Sequence, residues 1–308
     1  MGRSPYVLLG PTASGKTAVS LSLAAALDAE IISVDSRQLY RGMEVGSAAP
    51  TSEEQARSPH HLVSVADPED VMTAGEFGRR AQEAAADIVA RGKTVLFVGG
   101  SGLYLRAALG GLDEELPSDP ELRASLRARA ESEGLDALHA ELAERDPETA
   151  AVVSARDAQR ITRALEIIEL TGRTASAQRT RGRKAEADAS IVVLDRERED
   201  LEARIRARVS GMLESGLENE VRALVSRDLD SETPALRSVG FAETIRYLNG
   251  ELDRETWIEE IVVNTRRFAK RQHTWFRGLT GAQWVLIPAS EDTETTAGRA
   301  LSQWGVSI

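Results

Sequence analysis

The sequence has 308 residues, enough for one large domain or two smaller ones, and carries a net charge of −11. The absence of cysteine excludes disulfides, thiol catalysis and cysteine-ligated zinc. No apolar run reaches the roughly 18 residues of a membrane-spanning helix, and no signal-peptide pattern opens the chain, so we predict a cytoplasmic protein without membrane association.

The first third of the chain alternates between short apolar runs, typical of buried strands, and segments with helical spacing. Strands are predicted at Tyr6–Leu9, Glu30–Val34 and Thr94–Val98, and helices at Thr17–Leu27 and Gly75–Arg91. Alternation of this kind predicts a parallel sheet with helices on both faces.

The segment between the first strand and the first helix matches the pattern G-x-x-x-x-G-K-[ST] of a phosphate-binding loop, the P-loop. Its glycines let backbone N–H groups point inward, and the following helix adds its positive N-terminal end. Lys16 is expected to reach the phosphates, and the Thr17 hydroxyl to ligate Mg²⁺. The motif predicts a diphosphate or triphosphate site but no particular reaction. The predicted phosphate-binding residues are Gly10, Pro11, Thr12, Ala13, Ser14, Gly15, Lys16 and Thr17.

An acidic residue is predicted beside the P-loop. No Walker-B sequence, an apolar strand followed by an Asp that holds Mg²⁺, is evident, because the third strand ends in Gly99-Gly100-Ser101-Gly102. The second strand ends at Asp35 instead. The carboxyl ends of parallel strands meet at one edge of a sheet, which places Asp35 near the phosphates. There it would ligate metal, take a proton from an acceptor, or merely cap the next turn.

The middle of the chain has a different character. Pro117–Thr171 is helical in pattern and contains no candidate strand. A strand-like run returns at Ile191–Leu194, a long helix follows at Leu201–Glu214, and Trp284–Ile287 is predicted as the last strand.

These elements predict an α/β fold: a P-loop NTPase-like parallel sheet with flanking helices, interrupted by a helical insertion domain. We assign residues 1–111 plus 191–308 to the catalytic core and residues 112–190 to the insertion. Within the insertion, Arg179–Lys184 has the composition of a mobile connector.

Basic residues are concentrated in two segments. Arg156–Lys184 contains eight basic and three acidic residues, and Asn264–Arg277 contains five basic residues and no acidic one. Such segments on an acidic body indicate local binding of a polyanion, or else two solvated helix faces.

Several motifs are similar, in residues and in order, to those of tRNA dimethylallyltransferases, also called tRNA isopentenyltransferases. The resemblance spans almost the whole chain, and it departs from the family at Ala49, where a lysine is usual. Besides the P-loop, the motifs are Asp35–Tyr40, His60–Leu62, Val98–Tyr104, Arg163–Glu166, Val239–Phe241 and Arg266–Gln272.

The resemblance implies transfer of a dimethylallyl group from dimethylallyl diphosphate to N6 of the adenine on the 3′ side of the tRNA anticodon. It implies Asp35 and Ser101 as catalytic residues, Arg208 as a further diphosphate ligand, and Mg²⁺ as cofactor. Asp35 is the candidate general base, because adenine N6 becomes acidic only as the new C–N bond forms.

The anticodon stem-loop of tRNA is the implied macromolecular partner of a monomeric enzyme. Arg160 and Arg163, three residues apart, are predicted to share a helix face, as are Arg267 and Arg271, four apart. Gln38 has an amide able to read a base edge. The predicted tRNA-binding set is Asp35, Ser36, Arg37, Gln38, Ser101, Arg123, Gln159, Arg160, Ile161, Thr162, Arg163, Arg237, Gly240, Phe241, Arg267 and Arg271.

Aromatic and histidine residues leave alternatives open. Tyr40, Tyr104 and Phe241 are interpreted as stacking on bases or lining a prenyl pocket, with core packing as the alternative. His60 and His61 show no metal-ligand spacing and are interpreted as structural.

Two other functions share the P-loop. A small-molecule kinase would turn over ATP with its acceptor, and an RNA-binding protein with a nucleotide switch would prefer ATP to dimethylallyl diphosphate.

Overall fold

The computed structural model describes residues 4–70, 72–112, 118–227, 229 and 233–306. Part of the predicted insertion, including its helix-start prediction at Pro117, therefore lies outside the described residues. Six parallel strands form one sheet in the order β3-β2-β4-β1-β5-β6. They are β1 (Tyr6–Leu9), β2 (Ala29–Val34), β3 (His60–His61), β4 (Thr94–Gly99), β5 (Ser190–Arg196) and β6 (Gln283–Ile287).

Five of these strands match the predicted ones, and β3 was missed. This strand has two residues and no apolar pattern, and it forms only because His60 and His61 pair with Ile31 and Ile32 at the edge of β2. His61 Nε2 lies 2.7 Å from a carboxylate oxygen of Glu30. His60 Nδ1 lies 2.8 Å from Ser58 O, and the structural role of both histidines stays a prediction.

The sheet is buried on both faces, as expected of parallel strands. Along β1, Val7 and Leu9 pack into one apolar layer and Tyr6 and Leu8 into the other. The first part of the chain adds five helices: α1 (Lys16–Leu27), α2 (Glu44–Ser47), α3 (Ser52–Arg57), α4 (Ala74–Ala90) and α5 (Gly102–Ala108).

The predicted insertion is helical throughout the part that the structure describes. Its helices share a small apolar core of their own, which includes Leu126, Leu138, Leu142, Ile161 and Leu165. They are α6 (Pro120–Ser132), α7 (Leu135–Arg145), α8 (Pro147–Ala150), α9 (Ala158–Thr171) and α10 (Ala175–Ala187).

The prediction of a mobile connector at Arg179–Lys184 is wrong, because this stretch lies inside α10. The helix is held against the core by Glu186, a fully buried carboxylate that binds Arg106 of α5 at 2.5 Å. Gly182 also packs closely on the Arg106 side chain. Apart from Gly182, the helix consists mainly of Ala, Gln, Arg, Lys and Glu, which favour a helix, and these tertiary contacts stabilise it further.

Five further helices follow β5. They are α11 (Arg198–Glu214), α12 (Leu217–Val225), α13 (Phe241–Leu248), α14 (Arg254–Phe276) and α15 (Thr293–Gln303). Helices α1 and α15 cover one face of the sheet, and α11–α14 pack on the other with α4 and α5. In the described ranges, no helix is long and apolar enough to cross a membrane.

Candidate active site

The P-loop leaves the carboxyl end of β1 and leads into α1, the context that its motif requires. Gly15 has φ 95° and Ala13 has φ 66°, a backbone region that disfavours a residue with a side chain. The Ser14 N–H donates to Pro11 O at 3.2 Å, and Lys16 Nζ donates to the same oxygen at 2.9 Å. A strained backbone conformation persists only where surrounding contacts stabilise it, and two arginines supply such contacts here.

Arg196 and Arg204 bind the outer side of the P-loop. Arg196 Nε donates to Ser14 O at 2.9 Å, and Arg204 Nε donates to Ala13 O at 2.9 Å. The Arg196 side chain is buried and also pairs with Asp200. These contacts satisfy loop carbonyl groups from outside and thereby stabilise the strained turn. Sequence reasoning missed both roles, although a basic residue at the carboxyl end of β5 was an available signal.

The P-loop and the end of β2 border a pocket with about 550 Å³ of empty space, its open mouth included. Asp35 lies in this pocket with Lys16 and Thr17, which confirms its predicted place at the sheet edge beside the P-loop. Other lining residues include Thr12, Ser33, Gln38, Ala48, His60, Arg208 and Gln272.

Positive charge dominates the pocket. Burial lowers the pKa of Lys16 from 10.5 to about 7; Asp35 opposes the shift, and Arg208 and Arg37 add to it. Burial, together with Arg37, also lowers the pKa of Arg208 to about 10. The positive charges of Lys16, Arg37 and Arg208 lie near the single carboxylate of Asp35 and repel one another. A bound oligophosphate anion would reduce this repulsion.

Asp35 and Ser101 lie on the ends of adjacent strands, since Val34 pairs with Gly99. Asp35 Oδ1 accepts the Arg37 N–H at 2.9 Å. Ser101 Oγ accepts the Ser36 N–H at 3.1 Å and donates to Ser36 Oγ at 3.3 Å. The structure thus brings the two predicted catalytic residues together through Ser36.

Arg37 contacts α14 at Phe268. Its guanidinium lies 5.0 Å from the centre of the Phe268 ring, and that of Arg271 lies 5.7 Å from the same centre. Arg271 and Arg267 are exposed on α14. Planar cations around one aromatic ring are suited to nucleobases and phosphates.

Gln38 already has partners at both ends of its amide. Its Oε1 accepts from Ser33 Oγ at 2.8 Å, and its Nε2 donates to Ala48 O at 3.1 Å. In this conformation the side chain anchors the backbone before Pro50. Base reading by Gln38 would require exchange of one of these bonds.

Phe241, Ile161 and Thr162 need correction as RNA-contacting side chains, because all three are buried. Phe241 packs against Gly46, and Ile161 belongs to the apolar core of the insertion. The Thr162 hydroxyl donates to Ala158 O at 2.8 Å within α9. At these three positions only backbone atoms are available for the predicted contact with tRNA.

Tyr40 and Tyr104 likewise adopt the packing alternative. The Tyr104 hydroxyl donates to Met72 O at 2.8 Å, and the Tyr40 hydroxyl accepts the Met72 N–H at 3.4 Å. Burial raises the pKa of both phenols. The Tyr104 ring also stacks on Phe77, with 4.5 Å between the ring centres, and contact of either tyrosine with a base or a prenyl group stays a prediction.

Two of the predicted arginines of the insertion, Arg123 and Arg163, bind Glu166, a fully buried carboxylate. Burial favours its neutral form, but hydrogen bonds from Arg163, the Asp119 N–H and Arg123 outweigh this and lower its pKa. Arg160, by contrast, is 71% exposed and lies 3.4 Å from Asp157. Gln159 and Arg237 are exposed as well, and the Gly240 N–H donates to Glu243 at 2.7 Å.

The two α9 arginines should therefore respond differently to removal. Arg160→Ala is expected to weaken tRNA binding and flatten its salt dependence by about one unit of slope, with unchanged stability. Arg163→Ala should also lower stability by roughly 1–3 kcal/mol, because Glu166 loses a charged partner. Filter binding over a salt series and thermal unfolding measure both effects; an unchanged slope for Arg160→Ala would make it a merely solvated residue.

Magnesium is compatible with the residues present. Thr17 offers a hydroxyl and Asp35 a carboxylate in one pocket, and both are oxygen ligands of the kind Mg²⁺ prefers. Among the described residues no cluster of three or more metal-ligating side chains occurs. The ion in such sites is held mainly by substrate phosphates and water.

The chain is similar to a known protein family over most of its length. A family model described as IPP transferase matches residues 38–279. A tRNA dimethylallyltransferase from Methylococcus capsulatus is 46% identical over 283 residues, which cover 91% of each chain.

Two solved structures are similar over nearly the whole chain. The tRNA isopentenylpyrophosphate transferase of Bacillus halodurans has a TM-score of 0.71 and 33% identity, covering 99% of this chain and 96% of its own. A eukaryotic dimethylallyltransferase, captured acting on tRNA, has a TM-score of 0.76 and 25% identity, covering 100% of this chain and 78% of its own.

Proposed function

The chain belongs to the IPP transferase family of tRNA dimethylallyltransferases, and from this premise we propose that it prenylates tRNA. It would transfer a dimethylallyl group from dimethylallyl diphosphate to N6 of the adenine on the 3′ side of the anticodon, releasing diphosphate. The observation that carries this proposal is the pocket in which the P-loop and Asp35 meet.

The donor diphosphate is proposed to bind the P-loop, Lys16 and Arg208. Departure of diphosphate from the allylic carbon builds negative charge on the bridging oxygen. The cations Lys16 and Arg208 would neutralise this charge as the bond breaks, together with P-loop N–H groups other than those of Thr12 and Ser14, which donate within the protein. Mg²⁺, held through Thr17, would supply further charge neutralisation to the phosphates.

The acceptor adenine is proposed to approach Asp35 and Ser101. Its amino nitrogen attacks the allylic carbon, and the Asp35 carboxylate takes the N6 proton as the C–N bond forms. The adenine must leave its stacked position in the anticodon loop to reach the pocket. Arg37, Arg267 and Arg271 are proposed to hold the surrounding RNA, which the ring contacts of Arg37 and Arg271 and the exposure of Arg267 and Arg271 support.

We assign the clamp role to the insertion, residues 112–190, and the chemistry to residues 1–111 plus 191–308. The separate apolar core of α6–α9 and the exposed Arg160 support this division. A tRNA acceptor supports a cytoplasmic location, which we propose for this protein.

One assay tests the proposed function directly. Unmodified tRNA is incubated with protein, dimethylallyl diphosphate and Mg²⁺, and its nucleosides are analysed by mass spectrometry. We expect an adenosine heavier by one dimethylallyl group, formed without ATP. Turnover of ATP with a small acceptor would indicate a kinase instead, and tRNA binding that requires ATP without prenylation would indicate a nucleotide switch.

A further inference from the structure

Gln272, on α14, connects the P-loop to the loop after β4. Its Oε1 accepts the Thr12 N–H at 2.8 Å, and its Nε2 donates to Gly100 O at 3.1 Å. The side chain is buried and contributes to the wall of the donor pocket. A single amide group therefore joins the two backbone segments through both of its polar ends.

The close approach of these segments depends on glycine. A Cβ added at Gly100 would lie 2.2 Å from Gln272 Nε2, and one added at Gly99 would lie 2.0 Å from Val34 O. Such contacts leave no space for a side chain. The amide and the end of β4 therefore fix the spacing between the P-loop and Gly100.

The spacing between the P-loop and Gly100 sets the distance between the donor site and the acceptor site of the proposed reaction. Thr12 belongs to the P-loop, which would hold the diphosphate, and Ser101 follows Gly100 directly. Ser101 in turn binds Ser36, beside Asp35. Resting on the proposed prenyl transfer, we infer that Gln272 is a positioning residue that holds the donor diphosphate and the Asp35–Ser101 pair at the separation that transfer requires.

The amide is suited to this task because it accepts and donates at once. A carboxylate at position 272 would still accept the Thr12 N–H, but it would repel Gly100 O. A protonated carboxyl group would restore the donor. Methionine has a similar length and supplies neither a donor nor a strong acceptor.

Two variants and one matched control test the inference. With saturating donor and tRNA, Gln272→Met should lower the single-turnover rate by about 10²-fold, because misplacement by about 1 Å has effects of this size. Its donor Kd should change far less. Gln303→Glu, the control, alters an exposed glutamine of α15 and should leave the rate unchanged.

Gln272→Glu adds a pH signature that a purely structural contact would lack. Its rate divided by the wild-type rate should rise as the pH is lowered and the carboxyl group becomes protonated. Lys16, Arg208 and Asp35 line the same pocket; the two cations favour the charged carboxylate, and the Asp35 carboxylate opposes it.

Three results would overturn the inference: an unchanged rate at saturation with only a weaker donor Kd, a lower unfolding temperature with a normal rate, or a Gln272→Glu rate equal to the wild-type rate at every pH. Wild-type protein that forms no prenylated adenosine would overturn the proposed function and this inference with it. An active wild type with normal variants would overturn this inference alone.

Discussion

Asp35→Asn is expected to lower the single-turnover rate of prenyl transfer by about 10²–10⁴-fold, the contribution of a positioned general base. Asparagine has the same shape and can still accept the Arg37 N–H that Asp35 Oδ1 accepts at 2.9 Å. It cannot take the proton from adenine N6. Binding of tRNA should therefore persist while the chemical step fails.

The measurement is a rapid-quench assay with enzyme in excess over tRNA and with saturating donor. Saturation must be verified for the variant, because Asp35 also supports the charged form of Lys16. Asp67→Asn is the matched control, since this carboxylate forms a half-exposed ion pair with Arg41. A near-normal rate for Asp35→Asn would assign the proton to another acceptor.

Lys16→Ala should weaken donor binding by about 10–100-fold, the effect of losing a charge-assisted hydrogen bond of roughly 1.5–3 kcal/mol. It should also slow the chemical step by about 10²-fold, because the departing diphosphate loses a cation. Thr17→Ala should have a smaller effect, confined to the Mg²⁺ dependence. Lys93→Ala, which removes a partly exposed lysine paired with Asp28, is the control. Loss of tRNA affinity alone in Lys16→Ala would place the donor elsewhere.

The lowered pKa of Lys16, about 7, adds a pH dependence to donor binding. Below this pKa the free protein already holds the proton; above it the proton must be taken up, because bound diphosphate favours the charged lysine. Donor affinity should therefore fall by up to about tenfold per pH unit above neutrality.

Calorimetry at about pH 8, in buffers of different ionisation enthalpy, counts the protons taken up on donor binding. Wild type should take up close to one proton more than Lys16→Ala, and near pH 6 the difference should vanish. Equal proton uptake by both proteins at the higher pH would contradict a neutral Lys16 in the free site.

Features that depend on near neighbours in the chain could be predicted from the amino-acid sequence. The P-loop is eight consecutive residues between an apolar strand and a helix, so motif and context are both local. Asp35 followed from the end of β2, because strand ends in a parallel sheet share one edge. Helical periodicity likewise predicted the helices of Pro117–Thr171, in the part of this segment that the structure describes.

Tertiary structure decided whatever depends on distant partners or on burial. The contacts of Arg196, Arg204 and Gln272 with the P-loop join residues 182, 191 and 260 positions apart, which no local pattern encodes. Two arginines three residues apart in α9 also differ in their surroundings: Arg160 faces solvent, whereas Arg163 binds buried Glu166. Burial turned Phe241 from a candidate base contact into packing against Gly46. The physical reason is that charge and aromaticity describe what a side chain is able to bind, while packing of the whole chain decides what it meets.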